Sequence, residues 1–180
     1  MPRLSAGLLL YRTGATGLEV LIAHPGGPFW ARKDDGAWSI PKGEYAVGDD
    51  PWETARREFT EELGVQPPDG PRLELGQVRQ SGGKVVTGYA VAGDLDITDT
   101  RSNTFEMEWP PRSGKLQQFP EVDRVAWVSV EEARVKLLKS QLPAEHRRPV
   151  RLHQPRWQHP DRHRQRHAGH RSTGHRGRPA

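Results

Sequence analysis

A chain of 180 residues is long enough to form one domain with a hydrophobic core. It contains no Cys, which excludes a disulfide framework and thiol catalysis. No long apolar run suggests a signal peptide or a membrane span, so we expect a cytoplasmic protein without a membrane partner. The net charge of +4 is unevenly distributed, because residues 145–180 carry +8 and residues 1–144 carry −4.

The first 144 residues alternate predicted strands and turns around one strong helix. The predicted strands cover residues 8–11, 19–23, 37–40, 73–79, 85–92, 104–109 and 124–130. A long loop rich in Gly, Pro and charge runs from residue 24 to residue 36. Ser129, with Glu132 three residues later, predicts a capping box that opens a second helix through about Leu138. This order predicts an α/β (α+β) fold with a mixed sheet and helices on its faces.

The strong helix is predicted to begin near Asp50 and to end at Gly64. Asp49 or Asp50 can cap it, and Pro51 suits its first position because the missing N–H would be unpaired there. Gly64 can adopt the positive φ that ends a helix. An apolar stripe recurs at helical spacing and consists of Trp52, Ala55, Phe59 and Leu63.

This helix also carries carboxylates that are poorly placed for stability alone. Glu58 and Glu62 share one face, with Glu61 beside them, and like charges at this spacing cost a few tenths of a kcal/mol. Glu61 and Glu62 lie in the last turn, where the helix dipole favours cations by about 0.3–1 kcal/mol. The positive charge of Arg57 offsets only part of this unfavourable clustering of carboxylates. We therefore favour a site for a hard divalent cation over a helix that merely faces solvent, because hard cations bind carboxylate oxygens.

The stretch from Gly43 to Val65 resembles the Nudix box. That motif is Gly, five residues, an acid, seven residues, then Arg-Glu-apolar-x-Glu-Glu-x-Gly-apolar. The matching residues are Gly43, Arg57, Glu58, Phe59, Glu61, Glu62, Gly64 and Val65. Asp49 stands where the family usually has Glu. The wider resemblance runs from about Leu4 to about Leu142 and is strongest to bacterial Nudix proteins described as predicted pyrophosphohydrolases.

The resemblance implies a Nudix α/β/α sandwich over residues 1–144. It also implies hydrolysis of a nucleoside diphosphate linked to another moiety X, with water attacking phosphorus. Its cofactor would be Mg²⁺ or Mn²⁺. The expected metal ligands are the carboxylates of Glu58, Glu61 and Glu62 and the backbone carbonyl of Lys42 or Gly43. Arg57 is expected to orient the glutamates, and Asp49 is expected to cap the helix.

The general base stays open between a box glutamate and a glutamate in a later loop. Glu121 is the best later candidate because it lies in a turn before a predicted strand. Glu106 and Glu108 are weaker candidates, since they alternate in a strand pattern where exposed acids are common. The candidate substrate-binding residues are Trp30, Lys33, Lys42 and Arg79. The long loop favours the first two of these, because long loops tend to be functional.

Residues 145–180 differ sharply from the rest of the chain. They contain ten Arg, no Lys and seven of the eight His residues, and we predict that they are disordered. Three interpretations stay open: nucleic-acid or acidic-lipid binding through Arg, metal binding through His, or a non-native C-terminus. The abrupt loss of Lys, acids and aliphatic residues near Pro143 favours the last.

The tail also keeps a second function class open. A non-catalytic nucleotide sensor or RNA-binding protein could use the same fold with its basic tail. The complete glutamate set favours the enzyme, because a pure binder does not need to activate water. A homodimer is compatible with the resemblance.

Overall fold

The computed structural model describes residues 2–80 and 82–141. Within them lie eight strands, two α-helices and one short 3-10 helix. The strands are β1 (Leu4–Gly14), β2 (Gly17–Pro25), β3 (Lys42–Tyr45), β4 (Arg72–Arg79), β5 (Val85–Ala92), β6 (Thr104–Glu108), β7 (Leu116–Pro120) and β8 (Val122–Ser129). The helices are α1 (Pro51–Leu63), α2 (Val130–Lys136) and the 3-10 helix Lys139–Gln141. These elements confirm the predicted α/β (α+β) class. The predicted tail lies outside the described residues.

A mixed sheet organises the molecule. Its strand order is β4-β5-β1-β2-β8, and β3 pairs with the first part of β1. The β1–β5 pair is parallel and the other pairs of this sheet are antiparallel. Strands β6 and β7 form a separate two-stranded hairpin. The pairing of β3 with β1 sets Gly43 opposite Ala6, and this register fixes where the start of the box lies.

One α-helix packs on each face of the sheet. Phe59 and Leu63 of α1 are fully buried against Leu8 and Leu10 of β1. On the opposite face, Ala133 of α2 joins a second core cluster that contains Tyr11, Val20, Ile22, Ala37, Trp38, Ala90 and Val128. Burying each large apolar side chain contributes about 1.5–3 kcal/mol. The two clusters therefore hold α1 and α2 on opposite faces of the sheet, which is the predicted sandwich arrangement.

The ends of α1 follow the predicted signals, with one correction. Asp50 is the N-cap, and its carboxylate accepts a hydrogen bond from the Trp52 N–H at 2.8 Å. Gly64 ends the helix in the left-handed region with φ of 73°. The capping role expected for Asp49 is wrong. Its carboxylate accepts a hydrogen bond from the Ala46 N–H at 2.9 Å, so it closes the turn that precedes the helix.

Other element boundaries differ from the sequence prediction in small ways. The strand predicted at 37–40 is reduced to isolated bridges at Trp38 and Ser39, and the true strand starts at Lys42. Strand β7 was not predicted, because Leu116–Pro120 lacks an alternating apolar pattern. Helix α2 begins at the predicted Ser129 cap but ends at Lys136. In the part of the chain that is described, no helix has the length and apolarity needed to cross a membrane.

Candidate active site

Two glutamates of α1 lie against the first residues of β3. The Lys42 N–H donates a hydrogen bond to the Glu62 carboxylate at 3.3 Å. The Glu58 carboxyl lies over Gly43, and a Cβ added to Gly43 would overlap that carboxyl. Glycine is therefore required here by close approach, whereas the box pattern alone gives no reason for it.

Both of these carboxylates are destabilised in their charged form. Burial raises the pKa of Glu62 to about 7, although the Lys42 charge and its N–H hydrogen bond act in the opposite direction. Burial also raises the pKa of Glu58, against the lowering effect of Arg57. The positive charge near these two groups thus offsets their desolvation only in part. An added cation would stabilise both ionised forms.

Lys42 adds a second buried charge to this region. Burial lowers its pKa, while the carboxylates of Glu62 and Glu58 raise it. Its neighbour Lys84 lowers the pKa further, and Lys84 itself pairs with Glu44 at 3.1 Å. The charges of Lys42, Glu58 and Glu62 therefore act on one another.

Arg57 links the remaining box glutamate to Glu58. It donates to both oxygens of Glu61 at 3.1 Å and pairs with a Glu58 oxygen at 2.6 Å. Glu61 is the more exposed of the two glutamates that Arg57 contacts. Across residues 2–80 and 82–141, no three His, Cys, Asp or Glu side chains are already arranged to hold a metal ion. Residues 58 and 62 face β3, and residue 61 faces Arg57.

Glu121 acts electrostatically on the box glutamates although it is far from them in the sequence. It is the residue between β7 and β8, where its N–H donates to the Asn103 carbonyl at 2.8 Å. Its own carbonyl accepts from the Gly26 N–H at 2.9 Å. Besides burial, the negative charge of Glu121 contributes to the raised pKa of both Glu58 and Glu62. The three carboxylates are therefore within electrostatic reach of one another.

The other predicted site residues lie on elements outside the box and differ in their contacts. Lys33 and Trp30 share the loop after β2, and the Lys33 ammonium lies 4.5 Å from the Trp30 ring centroid. Arg79 is the exposed last residue of β4. Glu106 accepts a hydrogen bond from Gln118, and Glu108 accepts one from the Gly114 N–H. These last two glutamates therefore hold the β6–β7 hairpin.

Sequence reasoning missed two buried polar residues near the site. The Ser5 hydroxyl donates to the Gly43 carbonyl at 2.7 Å, and Ser5 is fully buried in β1. Residue 24 was predicted to start the long loop, but His24 is fully buried in β2 and bonded through both ring nitrogens. A Ser or His inside an otherwise apolar strand was the available signal, since buried polar groups need hydrogen-bond partners.

Comparisons with known proteins give the family. A family model described as the NUDIX domain matches residues 1–153. The curated proteins gave no match.

Among solved structures, a C. elegans Ap4A hydrolase binary complex is 21% identical, covers 72% of this chain and 82% of its own, and has a TM-score of 0.47. The NUDIX domain of Shewanella oneidensis NrtR, complexed with ADP ribose, is 20% identical, covers 76% and 79%, and has a TM-score of 0.49. RenU, a Nudix hydrolase from M. smegmatis, is 21% identical, covers 76% of each chain, and has a TM-score of 0.45. Similarity at this level concerns the fold alone. Because the family model spans most of the chain and agrees with the box motif, this protein belongs to the NUDIX domain family.

Proposed function

We propose that this protein is a divalent-metal-dependent pyrophosphohydrolase. Membership of the family implies hydrolysis of nucleoside diphosphate derivatives. The proposed reaction is cleavage of a pyrophosphate bond in a nucleoside diphosphate linked to another moiety X, with water attacking phosphorus. The observation that carries the proposal is that Glu58 and Glu62 lie against the first residues of β3, where burial raises the pKa of both carboxyl groups.

The residues present fit a divalent cation by charge and by donor type. Carboxylate oxygens are the ligands that Mg²⁺ and Mn²⁺ prefer, and two of these carboxylates lack full compensation. Glu58, Glu61 and Glu62 would hold the ion. When bound, the cation would neutralise the diphosphate and acidify a water molecule.

A backbone carbonyl would complete the ligand set. Of the two candidates, the Gly43 carbonyl already accepts a hydrogen bond from the buried Ser5 hydroxyl. That contact uses one of its two lone pairs and leaves the other free, so the carbonyls of Lys42 and Gly43 both stay candidates. Gly43 also gives Glu58 room, since a larger residue would displace the Glu58 carboxyl.

The remaining roles follow from position and charge. Glu121 would accept the proton of the attacking water, because general bases are commonly carboxylates held near the reacting groups. Arg57 would orient Glu58 and Glu61, which it already contacts. The phosphates would be bound by the positive side chains of Lys33, Lys42 and Arg79. Trp30 would stack on the base of the substrate.

Phosphate release from a substrate panel tests this proposal. The panel contains nucleoside triphosphates, nucleotide sugars, dinucleoside polyphosphates and ADP-ribose, each treated with a coupled phosphatase and with Mg²⁺ or Mn²⁺. We expect turnover that EDTA removes and that the Glu62→Gln variant loses. Glu53→Gln is the matched control, because Glu53 is an exposed glutamate in the first turn of the same helix.

Circular dichroism and thermal melting would check that both variants are folded. Absence of turnover on the whole panel, from folded protein that still binds nucleotide, would contradict the proposal. That outcome would favour the non-catalytic nucleotide sensor.

A further inference from the structure

His24 lies between two hydrogen-bond acceptors. Its ring is fully buried, with Nδ1 2.6 Å from an Asp123 carboxylate oxygen and Nε2 2.9 Å from the Lys33 carbonyl oxygen. A carbonyl oxygen cannot donate, so Nε2 must carry a proton. A neutral imidazole with that proton would turn a lone pair on Nδ1 toward the carboxylate. Both ring nitrogens therefore carry protons if Asp123 is ionised.

A cationic side chain lies beside Asp123. The guanidinium of Arg124 lies 3.5 Å from the same carboxylate oxygen that His24 contacts. The Asp123 side chain is also 29% exposed to solvent. With the carboxylate of Asp123 as acceptor, His24 donates hydrogen bonds from both ring nitrogens. Such charge-assisted hydrogen bonds are about twice as strong as neutral ones.

These two bonds join segments that are far apart in the sequence. Asp123 lies at the start of β8, two residues after Glu121, and Lys33 lies in the loop after β2. The same loop holds Glu121 through the hydrogen bond from the Gly26 N–H to its carbonyl. The next residue, Val122, donates its N–H to the Ser102 hydroxyl at 2.8 Å. The chain around Glu121 is thus fixed by contacts on both sides.

We propose that His24 is a positioning residue that fixes the turn carrying Glu121 by donating hydrogen bonds to Asp123 and to the Lys33 carbonyl. This inference rests on the proposed function, in which Glu121 is the general base. His24 itself touches neither the substrate nor the reacting atoms. It acts by fixing the turn that carries Glu121.

A double-mutant cycle on the full-length chain tests the proposal. In the wild-type background, His24→Gln should lower kcat by about 10-fold to 100-fold with KM nearly unchanged, because small misplacements of a catalytic group have effects of this size. In the Glu121→Gln background, the same substitution should cause almost no further loss. An equal loss in both backgrounds, or a change in KM alone, would overturn the proposal.

Asp123→Asn provides a second variant that keeps the shape of the site. It removes the charge of the carboxylate that His24 contacts. The hydrogen bond from His24 to the Lys33 carbonyl stays in place. We expect a smaller loss of kcat than for His24→Gln, and again none in the Glu121→Gln background. Asp99→Asn is the matched control, since Asp99 is exposed in a turn. A loss equal to that of the control would overturn the proposal.

A measurement without turnover separates this inference from the proposed function. NMR of the full chain would detect protons on both ring nitrogens of His24, assigned by comparison with the His24→Gln variant. Amide hydrogen exchange of Glu121 and Val122 should accelerate in that variant. One protonated ring nitrogen, or unchanged exchange, would overturn the positioning role. Metal-dependent turnover that collapses in Glu62→Gln would support the proposed function whichever result the NMR gives.

Discussion

The candidate site has two halves that are assembled in different ways. The first half comes from β3 and α1, where Lys42, Gly43, Glu58 and Glu62 lie within one continuous segment. The second half is a turn whose backbone is held by contacts from residues distant in the sequence. The first half depends on local helix geometry. The second depends on the order of strands in the sheet, so its residues cannot be located by their spacing.

The largest expected effect lies in the continuous half. Glu58→Gln should lower kcat by roughly 1000-fold, since the charge stabilisation that a metal centre supplies amounts to several kcal/mol. The steady-state rate at saturating Mg²⁺ would measure this loss, with Glu53→Gln as the control. A Glu58→Gln rate close to that of the control would remove α1 from the catalytic centre.

The pH dependence of stability tests the electrostatics of the same half. The Glu62 pKa is about 7 in the folded protein and about 4.5 when unperturbed. Because the folded pKa is the higher one, stability from Glu62 is fully present below about pH 4.5 and is lost as the pH rises through about 7. The loss amounts to about 3 kcal/mol of unfolding free energy.

Urea denaturation in EDTA, run from about pH 5 to pH 8, would measure this dependence. The difference in unfolding free energy between wild type and Glu62→Gln isolates the contribution of Glu62. We expect that difference to fall steadily as the pH rises. A constant difference would mean that the Glu62 carboxylate is not desolvated.

Substitutions at two glycines, one in each half, compare the halves directly. Gly43→Ala, in the continuous half, should lower kcat more than Gly26→Ala does. The new Cβ would meet the end of the flexible Glu58 side chain, which can move away at little cost in stability. We therefore expect kcat to fall by about 100-fold while the unfolding free energy changes little. Gly88→Ala is the control, because a Cβ there meets its nearest neighbour at 3.4 Å. A large loss of stability without loss of rate would contradict the role assigned to Gly43.

Gly26→Ala should lower the stability of the protein more than it lowers kcat. Its Cβ would overlap the carbonyl oxygen of Pro120, which is backbone and cannot move without shifting the turn that carries Glu121. We expect the unfolding free energy to fall by about 1–3 kcal/mol, as for overpacking elsewhere, with a smaller loss of kcat. Thermal and urea denaturation would measure the first effect. A fully stable Gly26→Ala variant would show that this contact does not fix the turn.

The sequence predicted the continuous half well because its signals are local. Asp50, Pro51 and Gly64 define the ends of α1, and the spacing of Glu58 and Glu62 places them on one face. Even there, the sequence did not decide which of two adjacent acids is the N-cap of α1. Either Asp49 or Asp50 satisfies the pattern, and only the turn at Ala46 decides between them.

The assembled half was predicted only as a set of candidates. Glu121 was chosen for its place before a strand, but where it lies relative to the box depends on the pairing of β3 with β1 and of β8 with β2. Neither pairing follows from periodicity, because alternation shows which residues are buried and not which strands are neighbours. For the same reason, the sequence did not show that His24 is buried and hydrogen-bonded at both ring nitrogens.

The Mg²⁺ dependence of the initial rate, compared between wild type and Glu62→Gln, tests the central claim most directly. The best substrate of the panel would be used, with EDTA-treated protein and increasing Mg²⁺. We expect no turnover without the metal and a rate that saturates with Mg²⁺ for the wild type. The Glu62→Gln variant should lose nearly all of this turnover. Equal rates for the two proteins, or full activity in EDTA, would contradict the claim that these carboxylates form a metal-dependent hydrolytic centre.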